Sequence, residues 1–255
     1  MGDVEVRGDL AGLVEGGATR GGNLFHSFLE FNVDAGQRVY FANPVGIESI
    51  LSRVTGENPS NIFGLLGVDG GADLFLINPN GLVFGEGATF DIEGSFYGTT
   101  GDAVQLGEDG VFSAVEPESS RLLRVNPSIL LENYLTENSG DIESRGQLAV
   151  LGNLVLVGNG IDLQGQVAAG GDLTLLGLDG VRIRDTAETP FVGFASGDLL
   201  VQGNRQVDIV ALSHPDSGLF SYGDMVLRSG SAVGGDAHYW SGGGFRVETL
   251  DGDAG

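Results

Sequence analysis

Three carboxylates and two guanidiniums crowd the middle of this chain: Asp162, Asp179, Arg182, Arg184 and Asp185. Acids and bases in this pattern suit the cleavage of a sugar polymer. That reaction needs paired carboxylates across a groove, often with calcium or a basic residue beside them. The chain carries 35 Asp plus Glu, however, so some acids cluster by chance. The three histidines, His26, His214 and His238, stand too far apart for ligand spacing, and no HExxH pattern occurs. Ser213, His214 and Asp216 are too close in sequence to form a triad among themselves and read as a turn, "LSHPDSG". Tyr239 and Trp240 could stack on a sugar or form an aromatic ladder at the end of a coil. No glycine-rich phosphate loop opens onto a helix. These residues therefore assign no catalytic group, cofactor or metal ligand. A polysaccharide-active enzyme remains the alternative reading.

A different stretch carries more information. "LFLINPNGLVFG", residues 74 to 85, runs apolar residues up to a polar corner and resumes at once. Pro79 fixes φ for the second position of a type I turn, Asn80 tolerates the third, and Gly81 can take the left-handed conformation. The Asn78 side chain can accept a backbone N–H two residues on. A second corner is "ANPVG", with Asn43 and Pro44. Local chemistry suffices to build both turns, and recognition by another molecule is the competing use.

The elements that position these corners are strands. The 255 residues include 45 glycines, which argue against long helices, since each interior Gly costs about 1 kcal/mol relative to Ala. One segment has helical spacing: in "VGIESILSRVTG", residues 45 to 56, Ile47, Ile50, Leu51 and Val54 fall on one helical face. Elsewhere the period is two. "GNLVLVG", "GDLTLLG", "GDLLVQG", "GDMVLRSG" and "GGFRVET" repeat one phrase, and Leu154, Leu173, Leu199, Met225 and Phe245 recur at intervals of 19, 26, 26 and 20 residues. A second series, "GDIESRG", "NGIDLQG", "GVRIRD" and "QVDIVA", is interleaved with it. Each repeat thus carries two short strands. One repeat cannot bury its apolar face alone, whereas stacked repeats can. The spacing predicts a parallel β-helix with the five named residues as an inward ladder. An antiparallel sandwich is the competing fold, but it does not require a phrase recurring in register.

The first 110 residues are rich in phenylalanine, and "DLFLI" and "LVF" are apolar on both alternating faces, which predicts burial on two sides. A solenoid also needs its first coil covered. "VEVRGDLAGLVEGG", residues 4 to 17, is expected to supply cap strands. The net charge of −23 argues against nucleic acid and anionic membranes as partners. No apolar run approaches the length of a membrane helix, so no membrane insertion is expected. The absence of cysteine leaves the compartment open. "MGDVEVRG" has no basic flank or apolar stretch of a signal peptide, so an exported chain would have lost its leader before residue 1.

Taken together, "NLFHSFLEFNV", "VYFANPVGIESILSRVTGENPSNIFGLLGV" and "LFLINPNGLVFG" resemble the N-terminal secretion (TPS) domain of filamentous haemagglutinin-like two-partner secretion exoproteins, in the form common among cyanobacteria. Residues 3 to 125 carry the resemblance most strongly. It implies an all-β fold: a right-handed parallel β-helix with an N-terminal cap and extra-helical strands. Residues 1–255 would form one domain, with 1–125 the capped secretion-signal region and 126–255 further coils. It implies a non-enzymatic role as the leading domain of a large adhesin-like protein. The partner would be an outer-membrane β-barrel transporter with periplasmic POTRA-type domains. The chain would cross the periplasm unfolded, then fold as a monomer outside the cell or at its surface. Both Asn-Pro corners of the family are tied to secretion. Asn78, Pro79, Asn80 and Gly81 match the second; Asn43 and Pro44 stand at the first, where Val45-Gly46 replaces the usual Asn-Leu.

Overall fold

The computed structural model describes residues 12–107, 110–119, 135–136 and 139–250. Nearly every element is a strand, and the strands wind into a parallel β-helix with three faces. The first face stacks Gly12–Val14, Arg38–Ala42, Leu65–Asp69, Thr89–Asp91, Gln147–Val150, Gln166–Ala169, Val192–Ala195, Gly218–Ser221 and Tyr239–Ser241. The second stacks Asn23–Phe28, Ser49–Val54, Asp73–Ile77 and Phe96–Thr99, then the strands starting at Leu154, Leu173, Leu199, Met225 and Phe245. The third stacks Ser60–Ile62, Leu82–Phe84, Ile142–Ser144, the far halves of Leu154–Leu163 and Leu173–Arg184, Gln206–Ala211 and Ala232–Ala237.

Alternation along these strands sends one set of side chains inward, where the next coil covers them. On the second face Leu24, Ile50, Leu74, Phe96, Leu154, Leu173, Leu199, Met225 and Phe245 occupy one register. The expected ladder from Leu154 to Phe245 is therefore in register and extends back to Leu24, buried as far as Met225, while Phe245 on the last coil is half-exposed. The interior is one continuous apolar column from Val14 to Leu227.

Two expectations need correction, and a third falls largely outside the described residues. Residues 45 to 56 are not helical: Ser49–Val54 is a strand of the second face, buried at all six positions. Ile50 and Val54 join the inner column while Leu51 joins a second core on the outside, and apolar residues on both faces of a strand imitate helical spacing. Each coil also has three strands, not two. The missed ones, such as Gln166–Ala169 and Val192–Ala195, are small and glycine- or alanine-rich. The two expected series fuse in Leu154–Leu163, which turns the corner through an irregularity at Gly158–Gly160. Finally, residues 4 to 11 of the expected cap lie outside the described residues. Gly12–Val14 pairs parallel with Arg38–Ala42 as a coil strand, and Ala18–Arg20 pairs antiparallel with Asn23–Phe28.

Burial on two sides holds for Asp73–Ile77. Leu74 and Leu76 face the column, while Phe75 and Ile77 face outward beneath an antiparallel hairpin, Ala103–Leu106 with Gly110–Ser113. Leu82–Phe84 differs, because Val83 is half-exposed. The hairpin brings Val104, Leu106 and Phe112 onto Phe25, Leu51, Phe75, Tyr97, Val155 and Val157. Buried Arg53 ties the two layers together. Its Nε donates to Ser27 Oγ (2.6 Å), its Nη1 donates to the Ser113 carbonyl (2.6 Å), and its guanidinium lies 4.5 Å from the centre of the Phe112 ring. Arg53→Ala withdraws these donors from a dry interface. It should lower unfolding free energy in urea by about 2 to 3 kcal/mol and raise amide exchange in the hairpin first.

His26 faces the column between Phe28 and Phe41, stacked near the first and edge-on to the second. Burial lowers its pKa from 6.5 to about 4. The folded state therefore refuses a proton that the unfolded chain accepts. The stability this neutral ring allows is complete above pH 6.5 and declines as pH falls toward about 4. Relative to His26→Leu, the native chain should lose up to about 1.4 kcal/mol per pH unit across that window, measured by urea unfolding at a series of pH values.

Candidate functional site: the Asn-Pro corners

The corner at residues 78 to 81 joins the second face to the third. Asp73–Ile77 delivers Asn78 into the corner, and Leu82–Phe84 leaves it. The Gly81 N–H donates to the Asn78 carbonyl (3.1 Å), closing the expected turn, and Gly81 has φ of +126°. The Asn80 N–H donates to Asn78 Oδ1 (3.0 Å), as the local chemistry predicts.

The neighbouring coils complete the site. Asn78 is wholly buried, at 0 % exposure. Its Nδ2 donates to the Asn58 carbonyl (3.1 Å) and to Ser60 Oγ (3.0 Å), both one coil earlier. Its Oδ1 also accepts from Asn80 Nδ2 (3.2 Å). An asparagine amide has two donors and two acceptor positions, so no capacity is left over. Asn80 is exposed but anchored, since its Nδ2 donates to the Gly56 carbonyl (2.7 Å). On the other side the Gly140 N–H donates to the Pro79 carbonyl (2.7 Å), and the Leu82 N–H donates to the Asp141 carbonyl (3.1 Å). The corner is thus pressed between residues 56–60 and residues 140–141, and only half-buried Pro79 and exposed Asn80 reach solvent. Inspection of the corner alone does not reveal these partners. The available signal was "ENPS", a coil earlier, which places Asn58 and Ser60 beneath it.

Asn43 and Pro44 sit at another edge, between the first face and the second. The two corners are therefore separate places on the molecule. The Ile47 N–H donates to the Pro44 carbonyl (3.0 Å), and Gly46 takes φ of +85°. With its amide turned to match its neighbours, Asn43 donates to the Ile47 carbonyl (3.1 Å) and accepts from the N–H groups of Gly71 (3.2 Å) and Ala72 (3.1 Å). Val45 projects freely into solvent. Both asparagines therefore use their amides to hold one coil against another.

The acids that suggested sugar chemistry have structural partners. Asp162 pairs with Arg182 (2.7 Å), Asp179 with Arg205 (3.0 Å), and Arg184 with Asp208. Asp185 Oδ2 accepts from the His214 N–H and from Ser217 Oγ, each at 2.8 Å. Partial burial works to raise the Asp185 pKa, but these bonds and those from Ser213 bring it below the usual carboxylate range. His214 Nδ1 accepts the Asp216 N–H within its own turn. Tyr239 stacks on Phe245, while Trp240 meets Tyr222 at 84°, so the aromatic side chains form no common flat platform. Among the described residues, no group of three or more His, Asp or Glu is arranged to hold a metal ion.

Comparison with known proteins gives the arrangement a context. The model of one family, described as the TPS secretion domain, matches residues 7–247. The heme/hemopexin-binding protein of Haemophilus influenzae is 24% identical over 199 residues, which cover 78% of this chain and 20% of that protein. The chain thus spans about a fifth of the length of the curated relative it matches.

Asn78→Ala removes every bond that the Asn78 side chain makes at the buried corner and leaves a small void. Its expected cost is about 2 to 4 kcal/mol in urea unfolding. Asn80→Ala, at an exposed position, should cost about 1 kcal/mol or less. Similar losses for the two would contradict the assignment of Asn78 as the corner's anchor.

Proposed function

The chain belongs to the TPS secretion domain family, the secreted substrates of two-partner secretion, and from that premise we propose that it is the N-terminal secretion domain of a large adhesin-like protein of the cyanobacterial form. A cognate outer-membrane β-barrel transporter recognises it through periplasmic POTRA-type domains. Once outside, it nucleates a right-handed β-helix. In this reading residues 1–255 act as one monomeric domain, with the signal concentrated in 1–125 and further coils in 126–255. Asn43, Pro44, Asn78, Pro79, Asn80 and Gly81 are the proposed secretion motif.

One observation carries the reading: Asn78 is buried with all its amide capacity engaged inside the fold. A partner that reads Asn78 must meet it before the coil closes. The same holds for Phe75 and Ile77, which the hairpin covers. In an extended chain these residues alternate with Leu74 and Leu76 and present apolar side chains on both sides. Such a segment suits strand addition to an exposed sheet edge, where main-chain bonds give affinity and side-chain pockets give selectivity. The absence of cysteine is compatible with unfolded passage, since no early crosslink can form. The alternative, a β-helical polysaccharide-active enzyme, has its candidate acids Asp162, Asp179 and Asp185 tied to structural partners.

The test compares binding of the transporter's purified periplasmic domains to the folded chain and to chain freshly diluted from urea. Binding should be at least about ten-fold tighter for the unfolded chain, a difference of about 1.4 kcal/mol, and equal affinity would overturn the reading. Secretion of Asn80→Ala separates recognition from folding. A variant that stays stable yet is not exported points to direct reading of the motif, whereas export that falls only in step with stability leaves the motif a purely structural role.

A further inference from the structure

Along the edge between the first face and the second, a side chain from each coil bonds the backbone of the next. Asp73 Oδ1 accepts from the Ser95 N–H (2.8 Å) and Ser95 Oγ from the Asn153 N–H (3.1 Å). Asn153 Oδ1 accepts from the Asp172 N–H and Asp172 Oδ1 from the Asp198 N–H, both at 2.8 Å. Asp198 Oδ1 accepts from the Asp224 N–H (2.7 Å) and Asp224 Oδ1 from the Gly244 N–H (2.8 Å). Gly244 has no side chain, so the ladder stops there. The residue after each rung starts the inward ladder, from Leu74 and Phe96 to Met225 and Phe245.

Asp73 follows Ala72, but from Ser95 onward the residue before each rung is a glycine, and it is part of the same device. A Cβ at Gly171 would overlap Asn153 Oδ1, and one at Gly197 would overlap Asp172 Oδ1. The same relation links Gly223 to Asp198 and Gly243 to Asp224. Each glycine leaves the space that the side-chain oxygen of the coil before occupies. The Gly-Asp pair therefore reads in two directions: glycine receives the preceding coil's oxygen, and aspartate offers an oxygen to the following coil.

We infer that this Gly-Asp ladder is a directional register lock that positions each incoming coil on the one already folded. The inference rests on the reading above that the chain folds from its first coils onward. Every rung has its side-chain acceptor on the earlier coil and its N–H on the later one, whereas the next N–H along the chain runs the other way, as Leu173 to the Asp198 carbonyl and Leu199 to the Asp224 carbonyl. Growth toward the C-terminus thus places each rung N–H on a side-chain acceptor already in position. The ladder also sets register, because the acceptor must meet the N–H that immediately precedes the inward residue. A slip by one residue would meet a neighbouring N–H and turn the apolar face outward.

Hydrogen exchange on the 255-residue chain tests this without any transporter, so it can fail while the secretion reading stands, and the reverse. Asp198→Ala should speed exchange at Asp224 and across Met225–Ser229 by about ten-fold while leaving Leu173–Gly177 unchanged. Asp198→Asn retains an acceptor oxygen and should restore protection. Equal loosening of both neighbours, no loosening, or failure of Asp198→Asn to rescue would overturn the inference. If Asp198→Ala does not fold, Gly197→Ala supplies the answer through its coupling to Asp172. Gly197→Ala should loosen the later coils in the native background but add less than about two-fold in an Asp172→Gly background, since the overlapping oxygen is then gone. Additive effects would reject the lock.

Discussion

Coil-to-coil register is the constraint on which the rest of this structure depends. A single coil has three short strands and no core of its own. Its apolar residues become buried only when the coils on either side present apolar residues at the same positions, as Leu173, Leu199 and Met225 do. A shift by one residue along any strand would send these side chains to solvent and bring Thr174, Leu200 and Val226 inward. The polar corners answer to the same demand. Bonds within one coil close their turns, and bonds to a neighbouring coil hold them in place. Asn78 reaches back to Asn58 and Ser60, Asn43 reaches forward to Gly71 and Ala72, and the aspartates each reach forward by one coil.

This dependence explains what could be read in the sequence. The phrase built on Gly, Asp and alternating apolar residues was legible because three separate requirements coincide in it: room for an oxygen, an acceptor, and an inward side chain. The third strand of each coil was not, because "GQVAA" and "FVGFA" place small residues such as Ala169, Gly193 and Ala195 at inward positions, which leaves a weak alternating signal. Ser49–Val54 was misread for a different reason. Two-sided burial puts Ile50, Leu51 and Val54 all inside, and the resulting spacing is shared by a helix. The hairpin that causes this burial lies some 50 to 60 residues later in the chain, as the bond from Arg53 to Ser113 shows, beyond the reach of any local pattern.

From its own residues the Asn-Pro corner was legible as a turn, and its candidate role came only with the family resemblance. Pro79, Asn80 and Gly81 announce the backbone geometry, and the bond from the Asn80 N–H to Asn78 Oδ1 follows from local chemistry alone. What the corner's own residues do not announce is complete enclosure, which comes from residues 56–60 below and 140–141 above. Enclosure changes the meaning of the motif. A residue that is fully exposed in a folded protein can be read at any time. A residue that vanishes on folding can be read only while the chain is open, and its disappearance separates the two states.

In the proposed strand addition, folding itself would make the partner let go. A transporter segment paired with residues 74 to 77 by main-chain bonds competes for the same N–H and C=O groups that the coil uses when Asp73–Ile77 joins Ser49–Val54 and Phe96–Thr99. It also competes for Phe75 and Ile77, which the hairpin covers in the folded domain. Binding and folding then draw on one set of donors, acceptors and apolar surface, so each excludes the other. Stacking adds apolar burial and corner bonds with every coil, whereas a bound strand offers one segment only. On the proposed reading, release would follow from completion of the fold with no further trigger, and the enclosure of Asn78 would make it hardest to reverse.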